Sequence, residues 1–301
     1  MVERKVAMVS GANRGLGFEI SRQLGQKGMT VLMGARDSEK GEKAAVVLRG
    51  EGRDNRAIAL DVTNSASITS AVDAIRSDFG RLDVLVNNAA VLLDIGVQPS
   101  DLGEDVLRST FEVNFFGPYR LTQQLIPLLK KSNRGRIVNL GTQVAALNQL
   151  ADPESPLKED ICPAYQASKT ALNVMTLVFA KELRESGIKV NSVCPGWVMT
   201  DMGHDDLPDY GDAVRPMSTQ EAVEKLIWLT ELPENGPTGG FFSEGEPVPW
   251  CSTYGTFRLL SSSRNYLLAP GGCGVRGRSG TGAVDDQDTS RCQESIDRRC
   301  P

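Results

Sequence analysis

The sequence predicts an α/β fold, a single doubly wound domain whose mostly parallel seven-stranded sheet is flanked by helices. Three observations predict it. Short β-branched, apolar runs alternate with longer stretches of helical periodicity. The strand-like runs are nearly all apolar instead of alternating, so both faces of the sheet should be covered. A glycine-bearing turn links the first strand-like run directly to the first helical stretch.

The expected strands are 5–9 (KVAMV), 29–34 (MTVLMG), 56–60 (RAIAL), 83–87 (DVLVN), 135–140 (GRIVNL), 188–194 (IKVNSVC) and 239–242 (GGFF). The expected helices are 15–27, 38–49, 66–79, 103–131, 163–186 and 219–231. A parallel sheet of this kind binds ligands beyond the carboxyl ends of its strands. The places to look are therefore just after residues 9, 34, 60, 87, 140 and 194.

Composition sets the outer limits. The 301 residues are 40% hydrophobic and 24% charged, ordinary for a globular domain. A net charge of -5 offers no basic field, so nucleic acid is not an expected partner. No apolar run is long enough to span a bilayer, so no membrane partner is expected either. Met-Val-Glu-Arg-Lys leads straight into the first strand with no apolar stretch before it, and a cytoplasmic protein is expected. The single histidine, His204, rules out a multi-histidine metal site, and no metal is expected. Cys162 and Cys194 are the only cysteines before position 251 and read as buried thiols.

The composition changes near residue 250. Residues 251–301 hold four cysteines, many Gly, Ser and Arg, and no lysine. The reading is a domain over 1–250 and a disordered or atypical tail over 251–301. A small disulfide- or metal-bound module is the rival, although Cys251, Cys273, Cys292 and Cys300 fit no zinc spacing.

The glycine turn is Ser10-Gly-Ala-Asn-Arg-Gly-Leu-Gly17. Gly11 allows a tight exit from the strand. Gly15 and Gly17 let the backbone approach a diphosphate, and Asn13, Arg14 and Leu16 complete the loop at the helix N-terminus. A dinucleotide site is expected here. The second strand ends Gly34-Ala35-Arg36-Asp37, with alanine where an NAD site carries an acid. Arg14 and Arg36 suit a 2'-phosphate, which favours NADP, with NADPH preferred over NADH. Asp37 keeps NAD open.

Five further segments fall at strand ends or on expected helices: LDVT at 60–63, NNAA at 87–90, Asn114 within VNFFG, Tyr165-Gln-Ala-Ser-Lys169, and CPGWVMTDM at 194–202. With the glycine loop, this ordered set over residues 4–250 resembles the short-chain dehydrogenase/reductase family. CPGWVMTDM and the later FFSEGEPVPW resemble its carbonyl reductase branch. The resemblance implies a Rossmann-type fold and an oxidoreductase acting on a small-molecule carbonyl substrate. It also implies cofactor contacts at Asp61, Val62, Asn88 and Ala89, and beside the nicotinamide carboxamide at Pro195, Gly196, Val198 and Thr200.

Tyr165 and Lys169 stand i and i+4 and share one helix face. A free tyrosine titrates near ~10, and a neighbouring ammonium favours its phenolate. Tyr165 is therefore read as the general acid for carbonyl reduction and the base for the reverse oxidation. The resemblance further implies that Lys169 holds the nicotinamide ribose hydroxyls. It implies too that Asn114 distorts its helix and holds a water in the proton relay; a satisfied core amide is the simpler reading.

Two positions depart from the family pattern. Thr142 stands where a serine hydrogen-bonds the substrate carbonyl, and its extra methyl should narrow the pocket. Ala90 stands where the family has glycine. These departures keep open an alternative, a catalytically weak or inactive NADP(H)-binding scaffold or sensor. The loops 91–99, 143–164 and 201–218 should shape the substrate side, and His204 is given no role. Apolar excess on helices 103–131 and 163–186 suggests, by analogy with the family, a homo-oligomer.

Overall fold

The computed structural model describes residues 4–158, 160–202 and 215–250. The tail expectation and His204 lie outside the described residues. Eight strands form one sheet: β1 (Val6–Ser10), β2 (Thr30–Ala35), β3 (Asn55–Ala59), β4 (Val84–Asn87), β5 (Arg136–Leu140), β6 (Lys189–Cys194), β7 (Phe241–Ser243) and β8 (Glu246–Pro247). Their order is β3-β2-β1-β4-β5-β6-β7-β8, parallel except for the last pair. The sheet runs outward in both directions from the β1–β4 boundary. That boundary is the switch point where a crevice opens at the strand ends.

The helices are α1 (Gly15–Gln26), α2 (Ser38–Gly50), α3 (Ser65–Phe79), α4 (Glu104–Phe111), α5 (Gly117–Leu129), α6 (Leu147–Leu150), α7 (Pro163–Glu182) and α8 (Thr219–Glu224). One face of the sheet buries Leu85, Ile137 and Val190 against Ile68, Leu125 and Phe179. The other buries Val9, Val31 and Val138 against Ile20, Leu24 and Leu48. β1, β2, β4 and β5 are buried along their whole length, as near-continuous apolar strands require. No helix among the described residues is long and apolar enough to cross a membrane.

Four details correct the sequence reading. The sheet has an eighth strand, β8, too short to leave a periodic signature. The expected helix 103–131 is three pieces, because a π turn over Glu112–Phe116 separates α4 from α5. The expected helix 219–231 stops at Glu224, and a 3-10 turn over Ile227–Glu231 follows. β3 at the sheet edge is only partly covered, so burial of both faces does not extend to it.

A buried polar ladder ties the strands to the helices behind the site. Asn87 Nδ2 donates to Thr122 Oγ1 at 3.0 Å and to Asn139 Oδ1 at 2.8 Å. Asn139 Nδ2 donates to Thr176 Oγ1 at 2.8 Å. These bonds link β4, α5, β5 and α7, and Asn139 and Thr176 are fully buried. Asn139→Leu strands one Asn87 donor, so a loss of about 1–3 kcal/mol is expected in urea unfolding. An unchanged midpoint would show that the ladder contributes nothing.

Candidate active site

A cleft of about 1020 Å³ lies over the carboxyl ends of the strands. Its lining includes Gly11, Asn13, Arg14, Gly15, Leu16, Gly17 and Arg36 at one end. Asp61, Val62, Asn88 and Ala89 line its middle, and Thr142, Tyr165, Lys169, Pro195, Gly196, Val198 and Thr200 its other end. Asn114 is the one expected site residue behind the wall, with no exposed surface.

The glycine loop is built by close approach. Gly11 takes φ +63°, and a Cβ there would lie 2.9 Å from the Ala89 Cα. A Cβ on Gly17 would overlap the Gly11 carbonyl oxygen. Ser10, at the end of β1, and Asn88, just after β4, fix the loop. The Ser10 hydroxyl accepts from the Asn88 and Ala89 amides, both at 3.0 Å. Asn88 Nδ2 donates to the Ser10 and Gly11 carbonyls at 2.9 and 3.0 Å. The Asn88 side chain therefore shapes the loop from within. Ser10 had no assigned role in the motif reading, although it sits at the strand end that the topology rule marks.

At the adenosine end the two arginines differ. Among the described residues no carboxylate stands within ion-pair distance of Arg36. Arg14 Nη1 instead meets Asp201 Oδ2 at 2.6 Å, joining the loop to the segment after β6. Both side chains are largely exposed, so water and salt weaken this pair. Asp37 is engaged elsewhere: its carboxylate caps α2 by accepting from the Lys40 amide at 3.0 Å and faces Lys40 Nζ at 3.6 Å.

At the other end, α7 carries Tyr165 and Lys169 into the cleft. Lys169 is 2% exposed, and its Nζ donates to the Leu140 carbonyl at 2.7 Å. The same nitrogen lies 5.7 Å from the centre of the Tyr165 ring. Burial pulls Lys169 down to about 8, because the charged form is the one that desolvation disfavours. The expectation that the ammonium lowers the tyrosine is corrected here. Tyr165 is raised above its ordinary value, chiefly by burial and then by the Cys194 and Cys162 thiols. The phenol therefore holds its proton at neutral pH.

The helix distortion that the resemblance implies for Asn114 is present, and the simpler core-amide reading accounts for its bonds. Asn114 lies in the π turn, so its helix is distorted. Its amide is also fully engaged: Oδ1 accepts from the Val91 amide at 2.8 Å, and Nδ2 donates to the Val91 carbonyl at 2.9 Å and to Ser168 Oγ at 3.1 Å. Thr142 follows β5 and caps a 3-10 turn over Gln143–Ala145, accepting from the Val144 amide at 3.4 Å. Ala90 lines the cleft beside Ala89. Cys162 and Cys194 are free, buried thiols, as expected, and both line the cleft. Asp94 and Ser168, which hold the backbone of Tyr165, were not singled out in the sequence reading. Ser168 lies inside the Tyr-x-x-x-Lys motif, whereas Asp94 carries no local signal.

The sign of the Lys169 shift gives a pH dependence. Its folded value of about 8 lies below the unfolded value of 10.5. Between these two, the unfolded chain binds a proton that the folded chain does not, so stability rises with pH there. Tyr165, raised above 10.0, opposes the rise above pH 10. Stability measured by urea unfolding from pH 8 to 10 should increase in the parent protein and flatten in Lys169→Met. Equal slopes in the two proteins would contradict the burial of the ammonium.

The short chain dehydrogenase family profile matches residues 5–211. Over 293 aligned residues the chain is 33% identical to a (+)-neomenthol dehydrogenase of Arabidopsis thaliana, covering 79% of this chain and 96% of the relative. It is 31% identical to a mouse carbonyl reductase [NADPH] 1 over 82% of this chain and 99% of that one. The solved structure of salutaridine reductase from Papaver somniferum superposes with a TM-score of 0.65 at 28% identity, over 79% of this chain and 99% of that chain. With the Tyr-x-x-x-Lys pair on α7 facing a cleft at the switch point, the chain belongs to the short-chain dehydrogenase family of oxidoreductases.

Proposed function

We propose that the protein is an NADPH-dependent carbonyl reductase that converts an aldehyde or ketone to an alcohol. The observation that carries this reading is the pairing of Tyr165 with a buried Lys169 in the lining of one cleft, the lysine nitrogen 5.7 Å from the tyrosine ring centre. The opposite end supports a phosphate-bearing ligand. Close packing of Gly11 and Gly17 leaves backbone at the cleft surface, and among the described residues Arg36 has no carboxylate partner there. Engagement of Asp37 as a helix cap favours NADP over NAD, because an NAD site uses an acid near this point for the ribose hydroxyls. The similarity to the mouse carbonyl reductase [NADPH] 1 supports the same cofactor.

When bound, the nicotinamide dinucleotide supplies the hydride. Gly15 and Leu16, at the N-terminus of α1, hold its diphosphate, and Arg36 its 2'-phosphate. Asp61, Val62, Ala89, Pro195, Gly196, Val198 and Thr200 line the remainder. Lys169 holds the nicotinamide ribose with the donors not engaged by Leu140. Tyr165 donates its phenolic proton to the carbonyl oxygen, and the Lys169 charge stabilises the phenolate left behind. In the reverse direction Tyr165 takes the proton. Thr142 hydrogen-bonds the same oxygen through its hydroxyl.

One second reading, a weak or inactive NADP(H)-binding scaffold, rests on Thr142 and Ala90, which depart from the family pattern. Tyr165→Phe should abolish carbonyl-dependent NADPH oxidation while NADPH binding, read by fluorescence, stays within about threefold of the parent. Undiminished turnover would remove Tyr165 from the chemistry. If the parent is silent and Thr142→Ser is silent too, the scaffold reading holds.

The protein acts as a cytoplasmic homo-oligomer in this reading. Phe116 and Tyr119, in the π turn and α5, and Val174 and Val178, on α7, expose large apolar surface. Light scattering at micromolar concentration should give a mass above that of one chain. A monomeric mass would contradict the pairing.

A further inference from the structure

The helix that bears Tyr165 lacks a cap of its own. Its N-cap residue is Cys162, whose side chain makes no capping bond, and Pro163 follows with no amide hydrogen. Burial, with the Asp94 and Asp160 carboxylates, holds the Cys162 thiol at about 12, so it stays a neutral thiol and a weak acceptor. The next two amides, of Ala164 and Tyr165, would be left in a buried place without partners.

Asp94 fills this gap from a loop 70 positions earlier. Its Oδ2 accepts from the Ala164 amide at 2.5 Å and the Tyr165 amide at 3.4 Å. The carboxylate has no exposed surface, and among the described residues its Oδ1 has no hydrogen-bond partner. A buried anion with one orphaned oxygen is costly unless something favourable faces it. Here the positive end of a 20-residue helix does so.

The loop around Asp94 is itself fastened to the site. The Gly96 amide donates to the Ile161 carbonyl at 2.7 Å, just before α7. Val91 is held at both its amide and its carbonyl by Asn114. Asn114 in turn donates to Ser168 Oγ, whose hydroxyl donates to the Tyr165 carbonyl at 2.8 Å. The backbone of Tyr165 is thus gripped on both sides: Asp94 takes its N–H, and Ser168 supports its C=O. Leu92, Ile95 and Gly96, on the same loop, line the cleft.

We infer that Asp94 is a positioning residue. It caps the catalytic helix in trans and fixes the height of Tyr165 against the substrate-side wall that the same loop forms. The inference rests on the proposed proton-donor role of Tyr165 for its kinetic consequence, whereas the cap itself stands apart from that role.

Two readouts keep these separate. Hydrogen–deuterium exchange over the peptide spanning 163–170 reports the cap without any turnover. It should quicken by about tenfold or more in Asp94→Ala, less in Asp94→Asn, and return toward the parent in Asp94→Ala/Cys162→Ser, where the helix gains its own cap. In carbonyl reduction, kcat should fall by about tenfold in Asp94→Ala and recover in the double variant, with NADPH affinity little changed. Unchanged exchange at 163–170 in Asp94→Ala would overturn the cap. Quickened exchange with an undiminished kcat would overturn the positioning role. A parent enzyme silent on every carbonyl would defeat the proposed function and leave the exchange arm to decide on Asp94.

Discussion

Lys169 carries an ammonium group into a place where water hardly reaches, one hydrogen bond from the Leu140 carbonyl at the end of β5. Much of the architecture can be traced from that constraint. The carbonyl is in reach because β5 is buried and ends at the cleft. The lysine is in reach because α7 packs across β5 and β6. The Asn87–Asn139–Thr176 ladder pins α7 to the central strands a little further along. Loosening any of these would let the charge move toward water, and the lysine would regain an ordinary pKa.

The same burial decides the neighbour. In one dense environment, desolvation acts in opposite directions on an acid and a base. It favours neutral lysine and neutral phenol alike. A proton donor held ready at neutral pH is the consequence for Tyr165. The stabilisation that Lys169 offers is drawn on only as negative charge develops on the phenolic oxygen. That division lets a group with an ordinarily high pKa serve as an acid without being ionised in advance.

How much of this could be read from the sequence depends on the range of the interactions involved. Seven strands were legible because each is an apolar run bounded by turn residues, and their ends located the cleft. The glycine loop and the Tyr165–Lys169 pair were legible because their geometry is local to one turn or one helix face. The break at Glu112–Phe116 had only an indirect signal, since the amide of Asn114 is held by Val91, 23 residues away. The Arg14–Asp201 pair and the Asp94 cap join residues 187 and 70 positions apart, and no local pattern marks either. The direction of the Tyr165 shift was misread for a related reason. Sequence displays a neighbouring charge, but the extent of burial is a property of the packed fold.

The proposed cofactor and reaction meet in one comparison: initial rates with NADPH and with NADH across a panel of aldehydes, ketones and quinones, for the parent protein and for Arg36→Ala. The account predicts turnover of at least one carbonyl, with kcat/KM for NADPH at least about tenfold above that for NADH and most of that margin lost in Arg36→Ala. Equal use of the two cofactors by the parent would contradict the arginine site. Tight NADPH binding with no turnover of any carbonyl would contradict the central claim.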